Sequence, residues 1–315
     1  MSVSPKNPSE NSFKKIAGFI VLILVGIFIG RIFLSQAKQI QASLALVSWV
    51  NILLSVIMFL FYFYARALSW NLILKSLGSH FKIKDSLFAW FAGESTRYVP
   101  GNVWSFASRF FLSVTHGVPK TNVILSILLE IILMLPVTLL LSVPALWINY
   151  GKVHFSVLTV LVVIGVLALA TGILFFSKRA KQALKELRHV PRKIFFTNTF
   201  LGALLLQILA WSAFGLGNYF LIQPFAQHVS AGLVVSISIL AWFLGYISIV
   251  TPMGLGVREG ALILLLGSGI GQGQAGLAAV LSRVVLTSTE GINLLYWLYI
   301  YQGKKNKTLL SPHVK

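Results

Sequence analysis

The chain has 315 residues, 57% of them hydrophobic and only 10% charged, with a mean hydropathy of +0.85, so its apolar runs call for a bilayer rather than water as solvent. Its net charge of +19 comes from Lys and Arg set between apolar spans, the pattern of cytosolic juxtamembrane loops, which argues against nucleic acid as a partner. With no cysteine, disulfides, Cys-ligated metals and thiol catalysis are excluded.

Residues 1–15 are polar and end on Lys14 and Lys15; an apolar run follows at 16–34, broken only by Arg31. The run is longer than a signal-peptide core and no convincing small-x-small cleavage site follows it, which predicts an uncleaved first span with a cytosolic N-terminus. Further spans are predicted at 44–68, 123–148, 153–176, 194–222, 231–250 and 275–301. Two shorter regions, 86–112 and 257–271, contain or adjoin Pro/Gly breaks and read as discontinuous or re-entrant helices. The expected fold is an all-α polytopic transmembrane helical bundle of seven to eight spans with two broken or re-entrant segments. It divides into a cytosolic tail at 1–15, one integral membrane domain at 16–302 and a basic tail at 303–315.

Orientation follows from Lys/Arg bias. The loop with Lys178, Arg179, Lys181, Lys185, Arg188, Arg192 and Lys193 is the densest in positive charge, whereas 223–230 has neither Lys nor Arg. Placing the former in the cytosol works if 86–112 dips in and returns, which assigns Arg66, Lys75, Lys82 and Lys84 to the same side. Lys304, Lys305, Lys307 and Lys315 also favour the cytosol, which requires 257–271 to cross although about 15 helical residues span only ~22 Å. The count becomes eight crossings of the cell (inner or plasma) membrane. Within the basic loop, Ala180, Ala183, Leu184 and Leu187 recur at helical spacing, fitting either an interfacial helix on anionic headgroups or a solvated loop.

Four of the seven acidic residues, Glu94, Glu130, Glu259 and Glu290, fall in or beside apolar segments, where charge is costly and marks a protein interior or wet cavity. On the last span Arg283, Thr287 and Glu290 share a helical face that Asn293 and Trp297 extend; Asn122, Ser126 and Glu130 step by four on another. Arg97, Arg109, Arg258 and Arg283 concentrate near the two breaks, more than simple helix-to-helix ion pairing requires. The breaks follow one order. In the first, Glu94, Arg97, Pro100, Gly101, Trp104 and Arg109 lead through a Gly117 turn to the helix of Glu130. In the second, Pro252, Gly254, Gly256, Arg258 and Glu259 lead through a Gly-rich turn to the helix of Arg283 and Glu290. Corresponding interruptions in two halves point to a transporter's substrate site. Arg forks and exposed helix N-termini suit phosphate, and in a membrane the phosphate most at hand belongs to a lipid. The glutamates then contact a headgroup amine, orient the arginines or carry a coupling proton. Gly267, Gly269, Gly271 and Gly273, alternating through the second turn, read either as a hinge or as close helix approach. Pro136 and Pro144 are expected to kink the Glu130 helix.

Arg97-Tyr98-Val99-Pro100-Gly101 with Trp104 and Arg109, followed far downstream by Thr251-Pro252-Met253-Gly254-Leu255-Gly256-Val257-Arg258-Glu259-Gly260, resembles the flippase-like transmembrane domain of lysylphosphatidylglycerol synthases. The resemblance covers nearly the whole chain in length and span order. It implies a module that moves a modified phospholipid or a polyprenyl-phosphate-linked lipid between leaflets, with both break segments lining the headgroup path. The bifunctional synthases carry a soluble aminoacyl-transferase domain after the membrane part; this chain ends shortly after Tyr301, so that domain is expected to be lacking.

Enzyme readings find little support. Gly254, Gly256 and Gly260 do not match the dinucleotide spacing and no βαβ pattern surrounds them. His80, His116, His154, His189, His228 and His313 are scattered, and Asp85 is the only Asp, so no metal site and no cofactor is expected. The expected function is therefore binding and translocation of an anionic or phosphate-bearing lipid, with membrane lipids as partners. The alternatives are an accessory subunit of a lipid-modifying enzyme, or an intramembrane transferase using Glu94 or Glu259 as base.

Overall fold

A computed structural model describes residues 37–98, 104–146, 192–247 and 254–309. The expected spans at 16–34 and 153–176, most of the basic loop, the N-terminal tail and residues 310–315 of the basic tail lie outside these residues, as do Pro100, Gly101 and Pro252. Among the described residues all regular structure is helical: α1 (Ala37–Ala45), α2 (Trp49–Ser76), α3 (Ile83–Ser95), α4 (Trp104–Thr115), α5 (Lys120–Leu146), α6 (Asn198–Ile222), α7 (Ala231–Ile247), α8 (Val257–Ile270) and α9 (Gln272–Leu309), with short 3-10 turns between some of them.

Trp49–Ser76, Lys120–Ala145, Asn198–Phe225 and Gln272–Tyr301 are long and apolar enough to cross a membrane, and Ala231–Ile247 is a shorter apolar helix. By contrast α3, α4 and α8 have 13, 12 and 14 residues, about 18–21 Å against a hydrocarbon layer of ~30 Å. None of the three reaches across alone, and they coincide with the regions expected to be broken.

Local chemistry sets the boundaries. The span expected from residue 44 begins at Trp49, because Ser48 and Asn51 form a capping box: Asn51 N donates to Ser48 Oγ (3.4 Å) and Ser48 N to Asn51 Oδ1 (3.3 Å). The helix then continues past residue 68 to Ser76, so Arg66 is not a cytosolic flank. It lies buried inside the span, a correction to its assignment by charge bias. At the end of α3 the Ser95 and Thr96 hydroxyls donate to the carbonyls of Ala92 (2.8 Å) and Gly93 (2.7 Å), satisfying acceptors that a terminating helix leaves open. The Gly-rich turn is also narrower than expected: Gly267 and Gly269 belong to α8 and Gly273 to α9, leaving Gly271, with φ +88°, as the turn. Pro136 and Pro144 both lie within α5.

Helix α2 packs along α6, α7 touches α5, α6 and α8, and α9 lies against α8, α3 and α2. One core gathers aromatic side chains of α2, α3 and α6, including Phe59, Phe63, Trp90, Trp211 and Phe214. A second joins α7, α8 and α9 through Ile237, Leu240, Leu262, Leu266 and Ala278. Lipid gives little hydrophobic drive for helices to associate, so close approach at small residues matters. A Cβ on Gly217 would fall 2.7 Å from the Phe59 ring.

The two short-helix hairpins close alike. Helix α3 packs on α4 where a Cβ on Gly93 would stand 2.4 Å from Arg109 Cγ. At the end of α7, a Cβ on Gly245 would stand 3.0 Å from Arg258 Cβ. In each hairpin a glycine makes room for the arginine of the following short helix.

Candidate functional site

The polar interior falls into three groups. In the first, Glu130 of α5 receives Arg66 Nη2 on Oε1 at 2.9 Å and Arg109 Nη1 on Oε2 at 2.5 Å. Arg66 Nη1 also donates to the Tyr62 hydroxyl at 3.2 Å. The Arg66 guanidinium lies over the rings of Tyr62, Trp90 and Trp211, and that of Arg109 over Trp70 and Phe106, at 5.3–5.7 Å from the centroids. Arg109 and Glu130 are 1% and 2% exposed. This knot joins α2, α4 and α5 and is walled by aromatic rings. Its neighbours on the α5 stripe serve the same seam: Ser126 Oγ accepts from Trp70 Nε1 (3.0 Å), and Asn122 Nδ2 donates to Leu77 O (3.0 Å) and Ser79 Oγ (2.8 Å).

In the second group, Arg97, just beyond α3, bridges two carboxylates. Its Nη1 donates to Glu94 Oε2 at 2.7 Å and its Nη2 to Glu290 Oε2 at 2.5 Å. The first break is thereby fastened to α9, where Asn293 is buried and donates to Thr289 O at 2.8 Å. Trp297 is buried too. Thr287, expected on the same buried face, is exposed.

The third group surrounds the start of α8. Gly254 and Gly256 take φ +64° and +84°, a region that only glycine enters cheaply; a Cβ on Gly254 would also stand 2.4 Å from the Gly245 carbonyl oxygen. This turn lets Glu259 fold back, so that Gly256 N donates to its Oε2 at 2.7 Å. The other oxygen stands 3.5 Å from Arg283 Nη1 of α9. Arg258 points elsewhere: its Nη2 donates to Ser282 Oγ at 2.6 Å, Ser282 Oγ donates to Asn218 Oδ1 of α6, and its guanidinium lies over Phe214.

The groups are close enough to act on one another electrostatically: Glu130 and Glu94 on Arg66, and Glu259, Arg283 and Arg97 on Arg258. Among the described residues this interior holds five arginines and four glutamates, which leaves one positive charge. Arg258 is the arginine of the five that is not in ion-pair contact with a carboxylate.

The structure thus brings Glu94, Arg97 and Glu290 together, Arg109 and Glu130 together, and Gly254, Gly256, Arg258, Glu259 and Arg283 together. Trp104 opens α4 and is more than half exposed. Sequence reasoning missed Arg66, Ser282 and Asn218. Arg66 has a readable sign, the Tyr62 to Arg66 spacing of one helical turn within an apolar run; a lone Ser and Asn on separate helices have none. Among the described residues no three His, Asp or Glu side chains gather as metal ligands do.

A search of curated proteins finds no match to the chain. The profile of the lysylphosphatidylglycerol synthase TM region matches residues 16–288, a stretch that contains both breaks and the three groups except Glu290 and its α9 neighbours Thr289, Asn293 and Trp297. With its helices long and apolar enough to cross a bilayer and this match over most of its length, the chain is an integral membrane protein of the lysylphosphatidylglycerol synthase TM-region family.

Proposed function

We propose that this protein binds an anionic or phosphate-bearing lipid, a phospholipid or a polyprenyl-phosphate-linked one, and carries its headgroup between leaflets through the polar interior. The observation that carries the reading is Arg258, buried and with no carboxylate in ion-pair contact among the described residues. A buried charge left without a counter-ion costs several kcal/mol, and a lipid phosphate supplies one. The guanidinium fork matches phosphate oxygens in pairs. Three short helices beside the site, none of membrane-crossing length, fit the broken-helix construction of transporter sites. Arg283 and Arg97, whose side chains are 17% and 13% exposed, are the other arginines within reach of an entering headgroup, whereas Arg109 and Glu130 hold the knot behind it. Lys and Arg bias sets the N-terminus and the basic loop in the cytosol. The protein itself performs no bond-making chemistry in this reading.

The test is headgroup movement in proteoliposomes holding the purified chain and fluorescent phospholipids. The expected result is exchange well above protein-free vesicles, with Arg258→Ala slowing it about tenfold to a hundredfold, since a charge-assisted hydrogen bond contributes about 1.5–3 kcal/mol. No movement for several lipid classes, or an Arg258→Ala variant as fast as the unmodified chain, overturns the reading.

A further inference from the structure

The start of α8 holds an imperfect ion pair. Among the described residues Glu259 has one oxygen on Gly256 N at 2.7 Å, while Oε1 makes no hydrogen bond and stands 3.5 Å from Arg283 Nη1. Arg283 Nη2 is likewise buried without a hydrogen-bond partner, and Arg258, one residue from Glu259, has its hydrogen bond to neutral Ser282. Only Arg283 is in ion-pair contact with the carboxylate, and the trio Arg258, Glu259 and Arg283 carries one positive charge. In the neighbouring group Arg97 bridges Glu94 and Glu290, so those three side chains carry one negative charge, which adds to the bias against a doubly charged headgroup.

We infer that Glu259 sets the charge of the headgroup this site accepts, tuning it to a phosphodiester, which bears one negative charge, and against a phosphomonoester. This rests on the reading of the site as a lipid phosphate seat and narrows it. A phosphodiester neutralises the trio and offers two unbridged oxygens, acceptors for the Arg283 Nη2 that has none and for Arg258. A phosphomonoester near neutral pH carries about −1.5 to −2; placed beside the Glu259 carboxylate it leaves excess negative charge in a low-dielectric interior, and like-charge contact of that kind rejects the wrong partner. Glu259 does this without leaving its place, because the bond to Gly256 N fixes its carboxylate at the helix start.

Glu259→Gln isolates the charge, since Gln keeps an oxygen for the Gly256 N–H and so preserves the cap. The experiment measures lipid binding to the purified chain in nanodiscs, by native mass spectrometry or thermal shift, with phosphatidylglycerol as the diester and phosphatidic acid as the monoester. The unmodified chain prefers the diester by about tenfold or more, equivalent to ~1.4 kcal/mol. Glu259→Gln, whose pair of arginines then carries two charges, moves the preference toward the monoester by a similar factor. The double variant Glu259→Gln with Arg283→Gln, again at one charge, returns it toward the diester. A preference that does not follow the charge in this series overturns the inference while leaving the lipid site standing. Binding of neither lipid by the unmodified, folded chain overturns the inference together with the reading beneath it.

Discussion

Glu130 has one guanidinium on each carboxylate oxygen, from Arg66 on α2 and Arg109 on α4, and almost no exposure. Such a knot adds little net stability when complete, because desolvation offsets the attraction, but removing one member leaves uncompensated charge. Glu130→Ala strands two cations among aromatic rings, and a loss of about 3–5 kcal/mol is expected, read as a lower thermal unfolding midpoint in detergent. Glu130→Gln, which keeps two polar atoms in place, loses less than Glu130→Ala in the same assay. At this scale the sequence was informative about which residues are unusual and silent about pairing. The four glutamates in apolar segments all proved buried, because charge in such a segment must find a partner. Which arginine meets which glutamate depends on contacts between helices far apart in the chain, 193 positions for Arg97 and Glu290, and no local pattern encodes that. Arg66 was misassigned because charge bias locates cations relative to span ends, and the span runs further than its hydropathy indicated.

The short helices were legible as elements, since Pro/Gly runs punctuate an otherwise continuous apolar pattern. Their packing was not, for it turns on which glycine opposes which side chain. Gly93 reads as an ordinary small residue, yet a methyl there meets Arg109 Cγ at 2.4 Å and Ser105 O at 2.9 Å. Gly93→Ala is therefore expected to part α3 from α4 and to cost about 1–3 kcal/mol by overpacking. Gly117→Ala provides the contrast: nothing lies within 4 Å and only the positive φ resists the side chain, a cost of about 1–2 kcal/mol. Gly254→Ala combines both penalties, because its φ is +64° and the obstruction is Gly245 backbone at 2.4–2.6 Å. Overpacking of about 1–3 kcal/mol and a positive-φ cost of about 1–2 kcal/mol then act together. Thermal midpoints of the three variants should rank Gly254→Ala as the least stable. The run of alternating glycines left two readings open, a hinge or close helix approach. The turn itself is shorter than the run, since helices α8 and α9 absorb all but Gly271; neighbouring packing holds a glycine in a helix despite its intrinsic cost of about 1 kcal/mol.

For the molecule as a whole, the three polar groups divide the labour. The Arg66, Arg109 and Glu130 knot is the driest and joins the helices behind the site; the Glu94, Arg97 and Glu290 group fastens the first break to α9; the Arg258, Glu259 and Arg283 group holds, at the second break, the arginine that has no carboxylate in ion-pair contact among the described residues. The helical membrane character and the family were both readable in the sequence, the first from composition and the second from the paired break motifs. The division of labour was not, since motif residues Arg109 and Arg258 look equivalent in one dimension and differ in whether a carboxylate faces them. Whether Arg258 is the phosphate contact is decided by a lipid-bound structure of the purified chain. Phosphate density is expected within hydrogen-bond reach of Arg258 and Arg283, with the Arg66 to Glu130 and Arg109 to Glu130 pairs intact. Lipid bound only on the outer surface of the bundle, with Arg258 still turned to Ser282 and no phosphate beside it, would contradict it.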